Sequence, residues 1–448
     1  MNDAIFARLA LLPSGWQENV RVRLKGNLIE AVTAKSAAQA GDTRVDYLVP
    51  GLSNLHSHAF QRGMAGLAER RGTSADSFWT WREVMYSFAL TLNPDEMQAI
   101  AEMAYVEMLE AGYTRVGEFH YLHHAPDGRY ANPAEMSLRI IAAAEASGIN
   151  LTHLPVFYAH ADFGGKAPNE GQRRFIHDIE GFDRLISQCR AAMTRPLDRL
   201  GLAPHSLRAV TGDELSRLVQ IRPAGPIHIH VAEQMREVED CIAYSGQRPV
   251  EWLLAHSPVG ARWCLIHATH LTAAERKGIA ASGAVAGLCP ITEANLGDGL
   301  FPAAEFQSEG GVIGVGTDSN VNVTAAGELS LLEYGQRLSR RQRNVLTGGE
   351  GSTGAALFNA CLRGGAQALG ADPAHIAAGA PADLVALADK LALPPAGDQA
   401  LDRWIFAGGL SVADVWAAGK HVVQGGCHAA RAQVEQAFAK TLQSVLAR

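Results

Sequence analysis

The sequence lacks the features that mark membrane, secreted and nucleic-acid-binding chains. No stretch approaches the roughly 18 consecutive apolar residues of a membrane span. The start, Met1-Asn2-Asp3-Ala4-Ile5-Phe6, has neither the basic residues nor the long apolar run of a secretory signal. Cysteine is sparse, and Cys189, Cys241, Cys264, Cys289, Cys361 and Cys427 form no C-x-x-C pair. That pattern reads as free thiols in a reducing cytoplasm rather than a disulfide frame or a Cys-zinc knuckle. Positive charge is in deficit: Lys+Arg number 39 against 46 Asp+Glu, a formal net charge of −7. Nothing global then attracts nucleic acid or an anionic membrane, and a cationic site for an acidic substrate has to be local. No nucleic-acid or membrane partner is expected, and the expected location is cytoplasmic. No glycine-rich phosphate fingerprint follows the first strand candidate, which disfavours a dinucleotide-binding sheet.

What is present is a large apolar fraction, 47% of 448 residues against 19% charged, enough for an extensive core. Strand-like runs alternate with helix-like ones. Eight strand candidates stand out: Tyr47–His58, Thr114–Tyr121, Asn150–Tyr158, Arg199–Ser206, Pro226–Glu233, Arg262–His270, Gly283–Pro290 and Gly311–Ser319. Most are nearly continuous apolar runs, as parallel strands covered on both faces require. The clearest helix runs from Pro94 to Ala111, with Asn93 as cap, Glu96 completing a capping box and Gly112 as terminator. The segment from Phe60 to Asn93 reads as a long loop. This alternation predicts an α/β fold, a (β/α)8 TIM-type barrel over residues 49–375.

The two ends differ from the middle. Val20, Val22 and Leu24 alternate with Arg21, Arg23 and Lys25, and short strand-like runs recur at Ala382–Leu387, Val412–Ala417 and Gly419–Val423. Neither end has enough strands for a core of its own. Residues 1–48 and 376–448 are therefore expected to pair into one small β-sandwich domain, with a terminal helix over Ala429–Ala447.

Histidine is abundant, with 17 residues. The first strand candidate ends Asn54-Leu55-His56-Ser57-His58, and residues two apart on a strand share a face, so both imidazoles project together. Matching strand ends supply His230 and Glu233 from His228-Ile229-His230-Val231-Ala232-Glu233, His267 from Leu265-Ile266-His267, and Asp318 from Gly316-Thr317-Asp318. Three imidazoles and a carboxylate suit zinc, with iron(II) or manganese(II) as competitors. His56, His58, His230 and Asp318 can hold one divalent ion, leaving His267 and Glu233 for proton transfer. His228 and His270 read as core or strand-flanking residues bonded to backbone.

This ordered set, H-x-H, H-x-x-E, H and D, resembles the amidohydrolase superfamily in its single-metal, deaminating branch. The resemblance covers nearly the whole chain. It implies metal ligands at His56, His58, His230 and Asp318, and catalytic roles for Glu233, His267 and Asp318. The fourth strand candidate ends Ala203-Pro204-His205-Ser206-Leu207-Arg208, without a lysine to bridge a second metal. A narrower resemblance is to the iminohydrolases that act on N-formimino-L-glutamate in histidine degradation. It is carried by Gly51–Gly63, Phe78-Trp79-Thr80-Trp81-Arg82, Gly117–Tyr121 and Ala203–Arg208. It implies hydrolysis of that small dicarboxylate to N-formyl-L-glutamate and ammonia, substrate contacts from Gln61, Arg82, Tyr121, His205 and Arg208, and a homodimer. Paired arginines suit such a substrate, since each guanidinium can bind one carboxylate through two charge-assisted bonds. Trp79 and Trp81 are expected to shape the pocket. A related deaminase of nucleobases, nucleosides or triazines, and a metal-binding protein without turnover, are the alternatives.

Overall fold

Strand formation from Tyr47 onward is interrupted at Gly51, where a side chain has no room: a Cβ there would lie 2.3 Å from the Thr114 side chain. The single strand expected over Tyr47–His58 is consequently two, Thr43–Pro50 and Leu52–Ser57, and they belong to different sheets. The computed structural model describes residues 4–69, 78–221, 224–390 and 396–448.

The central region is α/β with parallel strands, as expected. One sheet contains Leu52–Ser57, Tyr113–His120, Asn150–Phe157 and Arg199–Leu200, with Ala203–Pro204 also paired to Asn150–Phe157. The other contains Ile227–Val231, Trp263–His267, Val285–Leu288 and Val312–Val315. Every pairing in both is parallel. Isolated parallel bridges join their edges, Ser57 to Asp318 on one side, and Leu202 to Ile227 and Ser206 to His230 on the other. All residues of Tyr113–His120 and Asn150–Phe157 are buried, as parallel strands covered on both faces require, the polar Arg115, Glu118, Asn150 and His153 included. The fourth expected strand, Arg199–Ser206, is reduced to two short pieces; Pro204 has no N–H to continue the ladder.

Helices fill the connections. Pro94–Glu110 starts with the expected reciprocal cap: the Asn93 side chain accepts the Glu96 N–H at 2.9 Å, and Glu96 accepts the Asn93 N–H at 3.0 Å. Its buried face carries Met97, Ile100, Ala101, Ala104 and Met108. The expected loop from Phe60 to Asn93 instead holds a short 3-10 turn, Ala59–Met64, and a helix, Phe78–Ala89, that buries Phe78, Met85, Phe88 and Ala89. Part of that segment, residues 70–77, lies outside the described residues.

The two chain ends do meet. Thr43–Pro50 pairs in parallel with Ala4–Leu12 and antiparallel with Leu384–Asp389, so one strand stitches the termini together. Where a two-sheet sandwich was expected, the ends form one eight-stranded sheet, over a core that includes Ile5, Val20, Val22, Leu48, Leu384 and Trp416. The terminal helix is Arg431–Leu446, and it packs Val434 against Met103 and Val106.

The approach of the first and last parallel strands depends on Gly316, where a Cβ would sit 2.7 Å from the His56 backbone N and O. Gly316→Ala is expected to lower stability by about 1–3 kcal/mol through overpacking. Denaturant unfolding of the variant checks this; a midpoint equal to the parent's would show that the strands can part without cost.

Candidate active site

Four side chains from three strand ends converge. His56 and His58 come from the end of Leu52–Ser57, His230 from Ile227–Val231, and Asp318 from the residues after Val312–Val315. One ligand atom from each lies within 4.8 Å of all the others. Asp318 Oδ1 is 3.1 Å from His58 Nε2 and 3.4 Å from His56 Nε2, and the Nε2 atoms of His56 and His230 are 3.1 Å apart. The far nitrogens set the orientation. His58 Nδ1 donates to the Phe119 carbonyl at 2.9 Å, and His230 Nδ1 to the His205 carbonyl at 3.1 Å. A carbonyl can only accept, so these rings carry hydrogen on Nδ1 and turn the Nε2 lone pair inward. Burial pushes the His56 imidazole down to about 3 and holds His230 well below its ordinary range. Neutral, inward-facing nitrogens beside a carboxylate oxygen form a donor set that fits a divalent cation.

The backbone at these strand ends is unusual. Ala232, His267, Ala268, Asp318 and Asn320 all have φ between +45° and +65°, a region that side chains with a Cβ seldom adopt. Side chains hold the turns. Glu237 accepts the Ala232 and Glu233 N–H groups at 3.1 and 3.2 Å. Asn320 Nδ2 donates to Ser57 Oγ, the His58 carbonyl and the Asp318 carbonyl, each at 3.1 Å. Asn54 Oδ1 accepts the Thr317 N–H at 3.0 Å, locking the first strand to the last.

Beside this centre, Glu233 and His267 face each other. His267 Nε2 lies 3.6 Å from Glu233 Oε1 and 3.7 Å from Asp318 Oδ2, while its Nδ1 is 3.2 Å from Glu293 Oε1. Burial pushes the Glu233 carboxyl up to about 7, with the His267 charge opposing and the Asp318 charge adding. A carboxyl in that range can both give and take a proton near neutrality. Burial would lower His267, but the carboxylates of Glu233, Glu293 and Asp318 hold it well above its ordinary value. Asp298 is pushed up to about 9, by burial first and by the Glu233 charge second.

These groups open on one pocket. Its lining includes His58, His230, Glu233, His267 and Asp318 together with Gln61, Arg82, Tyr121, His205 and Arg208, and Phe78, Trp81, Tyr86, Tyr158 and Phe175 add an aromatic wall. His56 lies fully buried behind it. Gln61 Nε2 donates to Tyr121 Oη at 2.8 Å. Arg82 stands over the Trp79 ring at 4.5 Å, so Trp79 supports a pocket residue while Trp81 is part of the wall. Arg208 is buried, and its Nε has no hydrogen-bond partner among the described residues. Among the described residues neither Arg82 nor Arg208 has an ion-pair partner. His228, buried within the strand Ile227–Val231, donates from Nε2 to the Ala368 carbonyl at 2.7 Å, the backbone-bonded core role expected of it. A larger cavity of about 640 Å³ lies between the terminal sheet and the segment around Arg195, remote from these groups.

Glu237, Glu293, Asp298 and Asn320 were not singled out by sequence. Glu293 and Glu237 each stand in the first turn of a helix that follows a strand end, a place where acidic residues are common for dipole reasons alone. Only the fold shows that these two are buried beside the centre.

A family model described as amidohydrolase family matches residues 47–422, and one described as formimidoylglutamate deiminase HutF, N-terminal domain, matches residues 2–46. Formimidoylglutamate deiminase of Pseudomonas aeruginosa is 50% identical over 454 aligned positions, covering 99% of this chain and 100% of that one. A crystal structure of an amidohydrolase from Brucella melitensis is 58% identical and superposes with a TM-score of 0.97, over 99% of this chain and 100% of that one. An adenosine deaminase from Xanthomonas campestris with bound zinc, 22% identical, has a TM-score of 0.83 over 100% of this chain and 99% of its own, a likeness of fold alone. The chain therefore belongs to the amidohydrolase family, on the branch that contains formimidoylglutamate deiminase.

Proposed function

We propose that the protein hydrolyses N-formimino-L-glutamate to N-formyl-L-glutamate and ammonia. The observation that carries this reading is the pair of guanidinium groups, Arg82 and Arg208, without ion-pair partners among the described residues, on the wall of the pocket that also exposes Glu233, His267 and Asp318. Two unpaired cations in a partly apolar pocket call for two anionic groups on the ligand. The 50% identity with a formimidoylglutamate deiminase supports the same substrate.

In this reading His56, His58, His230 and Asp318 hold one divalent metal, with zinc suited to the donors and iron(II) or manganese(II) competing. When bound, such an ion lowers the pKa of water to about 7 and polarises the reacting group. Arg82 and Arg208 bind the two carboxylates, and Gln61, Tyr121 and His205 direct hydrogen bonds at the rest of the substrate. His267 and Asp318 orient the attacking water and take its proton. Water's oxygen adds to the formimino carbon, giving a tetrahedral centre with one oxygen and two nitrogens. Glu233 protonates the terminal nitrogen as the oxygen adds. The proton held by His267 and Asp318 then passes to the resulting amino group, the bond from carbon to that nitrogen breaks and ammonia leaves, while the remaining O–H proton returns to Glu233 and the carbon–oxygen bond becomes the formyl carbonyl.

The same reading takes the two parallel sheets as one closed (β/α)8 barrel, the catalytic domain of residues 49–375, beside a composite β-domain of residues 1–48 and 376–448. The bridges at both sheet edges support the closure. It also takes the protein as a cytoplasmic homodimer without nucleic-acid or membrane partners. The net charge of −7 accords with the lack of a nucleic-acid partner, and no helix among the described residues is long and apolar enough to cross a membrane.

Ammonia release assayed on formiminoglutamate, guanine, cytosine and adenosine tests the substrate directly; turnover confined to a nucleobase or nucleoside would overturn it. Glu233→Gln is expected to keep its metal, measured by elemental analysis, while kcat falls by about 10²–10⁴-fold. His230→Ala is expected to lose both metal and turnover. Arg82→Met should lower kcat/KM for formiminoglutamate by about 10- to 100-fold, the loss of a charged hydrogen bond. An unchanged kcat/KM would remove Arg82 from the substrate contacts.

A further inference from the structure

We propose that Glu293 is a positioning residue for the deimination, holding the His267 ring by accepting the hydrogen on Nδ1, so that Nε2 is the nitrogen that exchanges a proton with the reacting atoms. The inference rests on the reading of His267 as the group that takes the water's proton.

The geometry begins with the two faces of the imidazole. Nδ1 lies 3.2 Å from Glu293 Oε1, whereas Nε2 lies 3.6 Å from Glu233 Oε1 and 3.7 Å from Asp318 Oδ2. Only the first is a hydrogen-bond distance; the other two leave Nε2 facing a gap between the acid and the ligand carboxylate, where reacting atoms can sit. An ionised carboxylate only accepts, so the Glu293 contact selects hydrogen on Nδ1. The opposite tautomer would set the Nδ1 lone pair against that carboxylate and carry hydrogen on Nε2, leaving nothing to receive a proton from water.

Glu293 is placed for this and has little else to do. It is buried, with 6% of its surface exposed, in the first turn of the helix Pro290–Leu296 that follows the seventh parallel strand, Val285–Leu288. Its Oε1 also accepts the Cys289 N–H at 2.9 Å, which fixes the carboxylate before it meets the ring. A buried carboxylate is costly unless bonded, and the two bonds of Oε1, to the Cys289 N–H and to Nδ1, tie the imidazole to the start of that helix. The His267 and Ala268 backbones are left-handed, at φ +65° and +46°, where the strand ends beside this partner. The arrangement parallels the way His58 and His230 are held through Nδ1, but with a charge in place of a carbonyl.

The test compares Glu293→Gln, Glu293→Ala and His267→Asn in the metal-loaded protein. Gln keeps an oxygen that accepts from Nδ1 and removes the charge; Ala removes both. Glu293→Ala is expected to lower kcat by about 10- to 100-fold with KM and metal content near the parent values, and Glu293→Gln to recover part of the loss. Nitrogen-15 NMR of histidine-labelled protein should show His267 with hydrogen on Nδ1 in the parent and a mixture of tautomers in Glu293→Ala. Parent kcat in Glu293→Ala, or a parent His267 without hydrogen on Nδ1, would overturn the proposal. Should Glu293→Ala fail to fold, Glu293→Met, which fills the space without an acceptor for Nδ1, takes its place, and parent kcat with an unchanged His267 signature there does the same. Normal turnover in His267→Asn would instead remove the underlying role of His267, separately from the Glu293 result.

Discussion

The structure turns on a repulsion. Nitrogen lone pairs of buried imidazoles, two of them 3.1 Å apart, point at one another beside a carboxylate, in a place where protonating them is costly. Such a set is stable only when something outside it holds each ring in place and something inside it is positively charged. The holding is visible atom by atom: carbonyls of Phe119 and His205 on two rings, Asn320 and Asn54 between the first and last strands, Glu237 under the turn that presents Glu233. Left-handed backbone at Ala232, His267 and Asp318 is strain of about 1–3 kcal/mol each, retained where the surroundings over-determine it. A parallel sheet is suited to this, because its strand ends present side chains to a common point while the ladder below remains rigid.

Charge explains how the pocket relates to the rest of the molecule. The chain is acidic overall, with a net charge of −7, yet the pocket wall carries Arg82 and Arg208, without ion-pair partners among the described residues; Arg82 stands over the ring of Trp79. Aromatic faces can steady cations that lack a carboxylate partner, at a cost smaller than that of leaving them in apolar surroundings. The unpaired charges are then available to a ligand instead of being spent on the protein. That is the physical difference between a pocket for a small dianion and one for a flat, neutral base.

Much of this was legible along the chain because it depends on short spacings. Period two places His56 beside His58, and a run of apolar residues ending in a histidine or an acid marks a strand end that opens on a site. The helix Pro94–Glu110 was readable from its cap, since Asn93 and Glu96 bond across three residues. Other features had no local signal. At Gly51 the backbone changes partner, its N–H bonding to the Asp383 carbonyl and the Leu52 N–H to that of Gly112, and Thr114, far along the chain, occupies the space a side chain would need. The helix Phe78–Ala89 was hidden in an aromatic-rich segment whose burial is decided by the wall it forms. The terminal strands announced themselves as strands but not as a single sheet, since their partner choice depends on Thr43–Pro50 accepting one neighbour from each end.

The order of the histidines and acids that cluster, the alternation of strand and helix, and the local cationic residues are properties of the sequence, because each follows from residue type and a periodicity of a few positions. Which carboxylates are buried, which imidazole nitrogen bears hydrogen, and how close the lone pairs come were decided only in three dimensions. Those quantities depend on contacts between residues tens to hundreds of positions apart, such as Asn54 with Thr317 and His267 with Glu293, and no short window of sequence contains both members.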